Sequence, residues 1–193
     1  MAFLFSPQKS VADLIRADHN KARELYEQYQ MPYTTADQKQ ILAYSIIREV
    51  SMHSAAEEVI VYPAMRQHMG DCAPDHLLKE HQTLKEELSW LSSHKIHDTN
   101  YDARMQTMME DLVAHMREEE DDLLPRFAAT EGVTAETMTN LARWFEAVKR
   151  VAPTRPHPVA PNKPAAANLV TCAMAAPLDY ALDMIRFRLA PPL

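Results

Sequence analysis

Six of the 193 residues form a set whose types and spacing suit inorganic chemistry: His19, His53, Glu57, His81, His115 and Glu119. They fall into two triplets separated by 62 positions, His19 with His81, His53 with His115 and Glu57 with Glu119. The same offset relates Pro63 to Pro125 and the chain's only two glycines, Gly70 and Gly132. Flanking acids follow it as well, Asp18 with Glu80, Glu49 with Asp111 and Glu58 with Glu120. Coincidence of rare residue types at one offset points to two helical hairpins related by an approximate two-fold axis. In each hairpin the second helix carries His-x-x-x-Glu, which puts an imidazole and a carboxylate on one face, and the first helix adds a single His from across the bundle.

Those faces read as core. Met108, Leu112 and Leu123 surround His115, and Ile46, Val50, Ile60 and Val61 surround His53. Buried carboxylates and imidazoles cost several kcal/mol unless they are paired or coordinated, and metal binding satisfies six of them together. A single His-x-x-x-Glu on a helix is ordinarily a hydrogen-bonded pair, so it is the repetition that carries the metal reading. The competing interpretation is a charged polar core retained for fold specificity. Six N/O donors without a cysteine exceed the four of a structural zinc site and suit two iron or manganese ions, with two carboxylates able to bridge.

These residues require helices to position them. The chain has few glycines, 12 methionines and abundant Ala, Leu, Glu, Gln and Arg, which favours an all-α fold. Ser10 caps an expected first helix that stops near Met31-Pro32. Thr34 or Thr35 opens a second that runs toward Gly70, with Pro63 expected to kink it or mark its last turns. A third fits Pro74 to Ser93 and a fourth Asp98 to Ala129. Thr134 begins a shorter fifth with Met138, Leu141, Phe145 and Val148 inward and Lys149 and Arg150 at its end. The expectation is an antiparallel four-helix bundle with an added fifth helix over residues 1–150. Residues 151–193 then form a Pro-rich linker, with prolines at 153, 156, 158, 161 and 164, and a terminal amphipathic segment packed on the bundle. Leu178, Ala181, Leu182, Ile185 and Leu189 make the apolar stripe of that segment.

The remaining polar residues receive plainer roles. His68, His94, His97 and His157 lie off the repeat, and His76 points away from His81, so none is expected to ligate. Glu49 and Asp111, one turn before His53 and His115, are candidates to accept the outer imidazole N–H. Glu58 and Glu120 directly follow the expected ligand glutamates and could back the ligands or replace them, but adjacent helical positions diverge by about 100°, so solvated or interhelical roles are expected ahead of these. Cys72 and Cys172 have no framework around them and are expected as free thiols. A net charge of −7 without a basic stripe argues against nucleic acid as a partner. The apolar run Met1 to Phe5 breaks at Ser6-Pro7, too short for a signal peptide or membrane span, and a cytoplasmic location is expected.

Taken in order, His19 in Asp-His-Asn-Lys, His53-x-x-x-Glu57 before Tyr62-Pro63, Glu80-His81-Gln, and His115-x-x-x-Glu119 before Leu124-Pro125 resemble the hemerythrin HHE cation-binding family over roughly Ser10 to Ala129. The resemblance implies a non-haem di-iron centre in which Glu57 and Glu119 bridge the ions, with a bridging oxo, hydroxo or water ligand, and manganese or a mixed pair as variants. It also implies dioxygen, peroxide or nitric oxide as the small ligand. Ferritin-like di-iron proteins carry Glu-x-x-His, the reverse order. One departure matters: the oxygen-carrying members have two histidines four apart on the third helix, and here the position four before His81 is Leu77. A missing imidazole leaves a coordination position for chemistry, so oxygen or peroxide activation, with an organic substrate as an option, is expected ahead of reversible binding or sensing of oxygen, nitric oxide or iron.

Overall fold

The computed structural model describes residues 9–70, 73–158 and 176–184, and these are helical or connecting throughout. Helix α1 spans Val11–Gln30 and α2 Ala36–Ala56. A single π turn, Glu57–Val61, joins α2 to α3 (Tyr62–Met69). The second hairpin repeats the plan, with α4 over Ala73–Ser93, α5 over Tyr101–Glu118, a π turn at Glu119–Leu123 and α6 over Leu124–Ala129. Helix α7, Ala135–Val151, follows. The starts are set by local chemistry: the side chains of Ser10, Thr35 and Thr134 each accept the backbone N–H three residues on, and the side chain there returns a hydrogen bond to the cap backbone. Gly70 ends α3 in the left-handed conformation (φ 63°), which a side chain would strain although there is space for one.

Neither internal proline ends its helix. Tyr62 donates its N–H to the carbonyl of Glu57, five residues back, and Leu124 donates to Glu119 in the same way. Pro63 and Pro125 bring no N–H, and their rings would strike the carbonyl four residues earlier in an α-helical turn. Widening that turn by one residue accommodates the ring and lets the helix continue. The widened turns begin at the two ligand-candidate glutamates.

Around the bundle, α1 neighbours α2, α2 neighbours α4, α4 neighbours α5 and α5 closes back on α1, with α7 laid over α1 and α2. Two apolar clusters form the core. One, with Leu25, Leu42, Ile46, Leu88, Leu91 and Met105, fills the end near the α1–α2 and α4–α5 loops. The other, with Ile15, Tyr62, Met65, Leu77, Phe127 and Phe145, fills the end formed by α3, α6 and α7. The polar site lies between them.

Beyond α7 the chain crosses α2 and α4: Ala152 packs with Ala55, and Gln82 donates its amide N–H to the Pro158 carbonyl (3.0 Å). The helical stretch 176–184 corrects the expected apolar stripe. Leu178 and Met184 are exposed whereas Asp179 and Asp183 are buried. Asp179 accepts from His157 (2.9 Å), and Asp183 pairs with Arg155 (3.5 Å) and Arg48 (4.0 Å), cations that draw the acidic face inward. Ile185 and Leu189 of the stripe, and Cys72 and Cys172, lie outside the described residues. No described helix is long and apolar enough to cross a membrane.

Candidate metal centre

All six residues singled out in the sequence converge, and all are buried, from His19 (0% exposed) to His115 (7%). His19 and His53 bring their Nε2 atoms to 3.0 Å, and His81 and His115 theirs to 3.1 Å. Glu57 Oε2 lies 3.1 Å from His53 Nε2 and 3.6 Å from His81 Nε2. Glu119 Oε2 lies 3.4 Å from His19 Nε2 and 3.5 Å from His115 Nε2. Each carboxylate therefore spans the two halves. His19, His53, Glu57 and Glu119 offer donor atoms within 4.8 Å of one another, as do Glu57, His81 and His115.

Fit to a cation can be judged from what the protein leaves unsatisfied. Both oxygens of Glu57 and Oε2 of Glu119 are buried without a hydrogen-bond partner. Facing Nε2 atoms at 3 Å repel unless a proton or a metal lies between them. Orphaned buried carboxylate oxygens cost several kcal/mol, and a divalent cation among nitrogen and oxygen donors relieves both problems. The residues present fit a metal cation.

Each imidazole is oriented from outside by a carboxylate at Nδ1. His19 donates to Glu120 Oε1 (2.6 Å), His53 to Asp18 Oδ2 (3.1 Å), His81 to Glu58 Oε1 (3.0 Å) and His115 to Glu80 Oε2 (2.8 Å). This fixes the tautomer with the Nε2 lone pair inward. The four acids obey the 62-residue offset, and two of the pairs, His19 with Glu120 and His81 with Glu58, cross between hairpins. One expectation for this layer is corrected and another is narrowed. Glu49 and Asp111 do not orient the four histidines; Asp111 lines a surface cavity. Glu58 takes the interhelical role and not the solvated one: it is 2% exposed and pairs with His81 and with Lys85 (2.8 Å) on α4. Spacing along one helix was the wrong guide, because the partner imidazole comes from the neighbouring helix, and a residue about 100° from the site points at that neighbour. The repeat of the acids beside the ligands was the usable signal.

The two-fold relation fails in three places. Tyr62 corresponds to Leu124; its hydroxyl donates to Glu119 Oε1 (2.8 Å) and lies 3.1 Å from His81 Nε2, a site residue that sequence reading used only as a motif mark. On the first half, α7 seals the surface, with the Phe145 ring edge-on to His53 (centroids 5.8 Å apart) and Lys149 Nζ on Asp18 Oδ1 (2.6 Å). On the second half, a cavity of about 350 Å3 between α4 and α5 reaches His81 and His115 past Leu84, Met108 and Leu112.

Electrostatics match a site built for cations. Burial opposes a charge on His53, but the Glu57 and Asp18 carboxylates overcome it and lift the group to about 10. His115 is raised for the same reasons, by Glu119 and Glu80 against burial. Glu119, despite burial, is held far below the usual carboxylate range by His115 and His19. Burial, together with the Glu119 and Glu57 charges, pushes the Tyr62 phenol well above its ordinary value, so it holds its proton. The other histidines stay apart from the six donors: His76 pairs with Glu118, His94 stacks on Trp90, His68 lies against Phe127 and His157 pairs with Asp179.

Comparison with known proteins places this geometry. An uncharacterized hemerythrin-like protein of Schizosaccharomyces pombe is 32% identical over 180 residues, covering 91% of this chain and 86% of that protein. A DNA nickase of Nostoc is 26% identical over 142 residues, 72% of this chain but 39% of that protein. The crystal structure of a hemerythrin HHE cation binding domain-containing protein from Mycobacterium kansasii superposes with a TM-score of 0.60 at 21% identity, covering 74% of this chain and 86% of that one, a likeness of fold. The family description that matches residues 10–127 is the hemerythrin HHE cation binding domain, and the chain belongs to that family.

Proposed function

We propose that this chain is a non-haem di-iron protein that activates dioxygen or peroxide, with His19, His53, His81, His115, Glu57 and Glu119 as the metal ligands. The supporting observation is the trio of orphaned carboxylate oxygens, Glu57 Oε1 and Oε2 and Glu119 Oε2, set among four inward Nε2 atoms. His19 and His53 would hold one ion and His81 and His115 the other, with Glu57 and Glu119 shared; manganese suits the same donors. Bound iron would supply electron exchange with dioxygen or peroxide.

The protein's own part is positioning and exclusion. Asp18, Glu58, Glu80 and Glu120 accept hydrogen bonds from the four Nδ1–H groups, which keeps each Nε2 lone pair directed inward. Apolar clusters on both sides of the site, with Leu88 and Met105 toward one end and Tyr62 and Phe127 toward the other, restrict water and lower the local dielectric. Tyr62 keeps a proton on Oη beside Glu119 and His81 and supplies the centre with a hydroxyl donor. Leu77, four residues before His81, is fully buried in the apolar cluster and offers no donor, which favours chemistry over oxygen storage. The nicking activity named for the Nostoc protein is not carried over: the match spans 39% of that protein, and this chain bears a net charge of −7.

Anaerobic reconstitution with Fe(II), a metal count per chain, and then addition of oxygen or peroxide with optical monitoring test the proposal. About two irons per chain and consumption of oxygen or peroxide are expected. A band that clears on degassing would mark a carrier instead. Iron content unchanged by Glu57→Ala or His115→Ala would refute the ligand assignment.

A further inference from the structure

The broken symmetry of the site shows what its open side is shaped to receive. On the first half, α7 lays an aromatic ring against one ligand histidine and an ammonium on the acid that orients that histidine. Phe145 sits on His53, Lys149 sits on Asp18, and Lys149 Nζ is 6.0 Å from the Phe145 ring centroid. The repeat places His115 where His53 stands and Glu80 where Asp18 stands, and the Glu80–His115 contact reproduces the Asp18–His53 contact. No α7 counterpart covers this half among the described residues. Its surface is instead the α4–α5 cavity of about 350 Å3, within the usual size range of small-molecule pockets.

We infer that the α4–α5 cavity binds a small organic cation with an aromatic body, of the phenylalkylamine class, beside the His81–His115 half of the centre. Three features of the cavity support that chemistry. Its walls, Leu84, Met108 and Leu112, are buried apolar side chains suited to a ring. Among the described residues its ionisable lining apart from His81 and His115 is wholly acidic, without Lys or Arg. Of those acids, Glu80, Glu87 and Glu118 are engaged with His115, Arg104 and His76, while Asp111 at the mouth is unengaged and available to an ammonium. A carboxylate ligand of the same shape meets repulsion from the acidic rim of Glu80, Glu87, Asp111 and Glu118. The assignment makes the second half the one reached by an exogenous molecule and the first half the one closed by the chain itself; as a statement about chemistry at iron it rests on the metal reading above, but binding to the cavity does not.

The test uses the full chain with 3-phenylpropylamine and 3-phenylpropionate, which share a body and differ in charge. Calorimetry and ligand-observed NMR are run on chelated and iron-loaded protein, with iron counted separately. The amine is expected to bind and the carboxylate not to. Ala114→Trp, at an exposed lining position, should plug the cavity and weaken the amine at least about tenfold while helicity and iron content stay normal. Asp111→Asn should weaken it by less, and the amine should shift the iron absorption of the loaded protein. Equal binding of the carboxylate overturns the inference, as does amine affinity that survives Ala114→Trp in folded protein. A dimer that withdraws Asp111 and Ala114 from solvent also overturns it, because the face would then join two copies. Failure to load iron defeats the metal reading, whereas normal loading without amine binding defeats this inference alone.

Discussion

Replacing Glu58 by Gln keeps the shape of a buried side chain and removes its charge. Glu58 is 2% exposed, accepts from His81 Nδ1 at 3.0 Å and holds Lys85 at 2.8 Å. An amide oxygen can still accept from the imidazole, but the amide NH2 then faces the Lys85 ammonium, so one contact loses its charge assistance and the other is lost. Hydrogen bonds to charged groups contribute about 1.5–3 kcal/mol each, and the one retained neutral bond returns roughly half of its share. The chelated Glu58→Gln protein should therefore be about 2–4 kcal/mol less stable in urea unfolding. Loss of an outer carboxylate behind a ligand imidazole lowers metal affinity about 10–100-fold, read by competition with a chelator of known affinity. Glu120→Gln, at the symmetry-related position, should lower affinity similarly but stability less, because the Glu120 side chain is 20% exposed. Glu49→Gln is the control, since Glu49 is partly exposed and engages none of the four histidines. The reasoning is refuted if Glu58→Gln and Glu49→Gln bind iron equally well.

Further outcomes concern pH, the phenol at the site and the ring that covers it. In the chelated protein, burial works against a charged His53 but Glu57 and Asp18 raise it to about 10, so its stabilising contribution is complete below its unfolded value near 6.5 and is lost as pH rises toward about 10. Glu58 is lowered by His81 and Lys85 against the opposing effect of burial, so its contribution is present above about 4.5 and lost as pH falls through its lower folded value. Metal uptake near neutral pH should release protons, visible as a calorimetric enthalpy that depends on the buffer; an enthalpy independent of buffer would contradict the protonated His53. Tyr62→Phe removes the donor to Glu119 and should leave about two irons per chain while changing the optical spectrum of the oxidised centre, checked by metal analysis and absorption. Phe145→Ala, at a residue 1% exposed over His53, should cost about 3–5 kcal/mol in urea unfolding, with partial recovery in toluene if the vacated space stays apolar.

The sequence was most legible where local rules and the repeat agreed. Ser10, Thr35 and Thr134 cap the helices they were expected to cap, and the six matched His and Glu residues converge. Pro63 and Pro125 were harder to read: proline chemistry announces a disturbance, but only the surroundings decide between a break and a widened turn. Glu49 and Asp111 were misread as the orienting acids because the true ones, Glu58 and Glu120 among them, face neighbouring helices at an angle that positions within one helix do not reveal. Tyr62 and Phe145 had no chemical signature of their own beyond size. Their roles come from packing, one beneath the shared carboxylate and the other as part of a cover. The acidic inner face of 176–184 was set by Arg48 and Arg155, which periodicity within the segment could not register.

The crossed pairs, His19 with Glu120 and His81 with Glu58, make each hairpin dependent on the other for the orientation of one of its own imidazoles. Residues 10–70 and 73–129 are thus two interlocking pieces, not two modules placed side by side. A single ancestral hairpin pairing with its copy would present the same crossed contacts, and fusion of the two would preserve them at a constant spacing. Neither hairpin can preorganise both of its inward lone pairs before it docks on the other, so docking precedes a complete centre, and a cut in the loop between α3 and α4 should leave fragments that regain full metal affinity only when mixed.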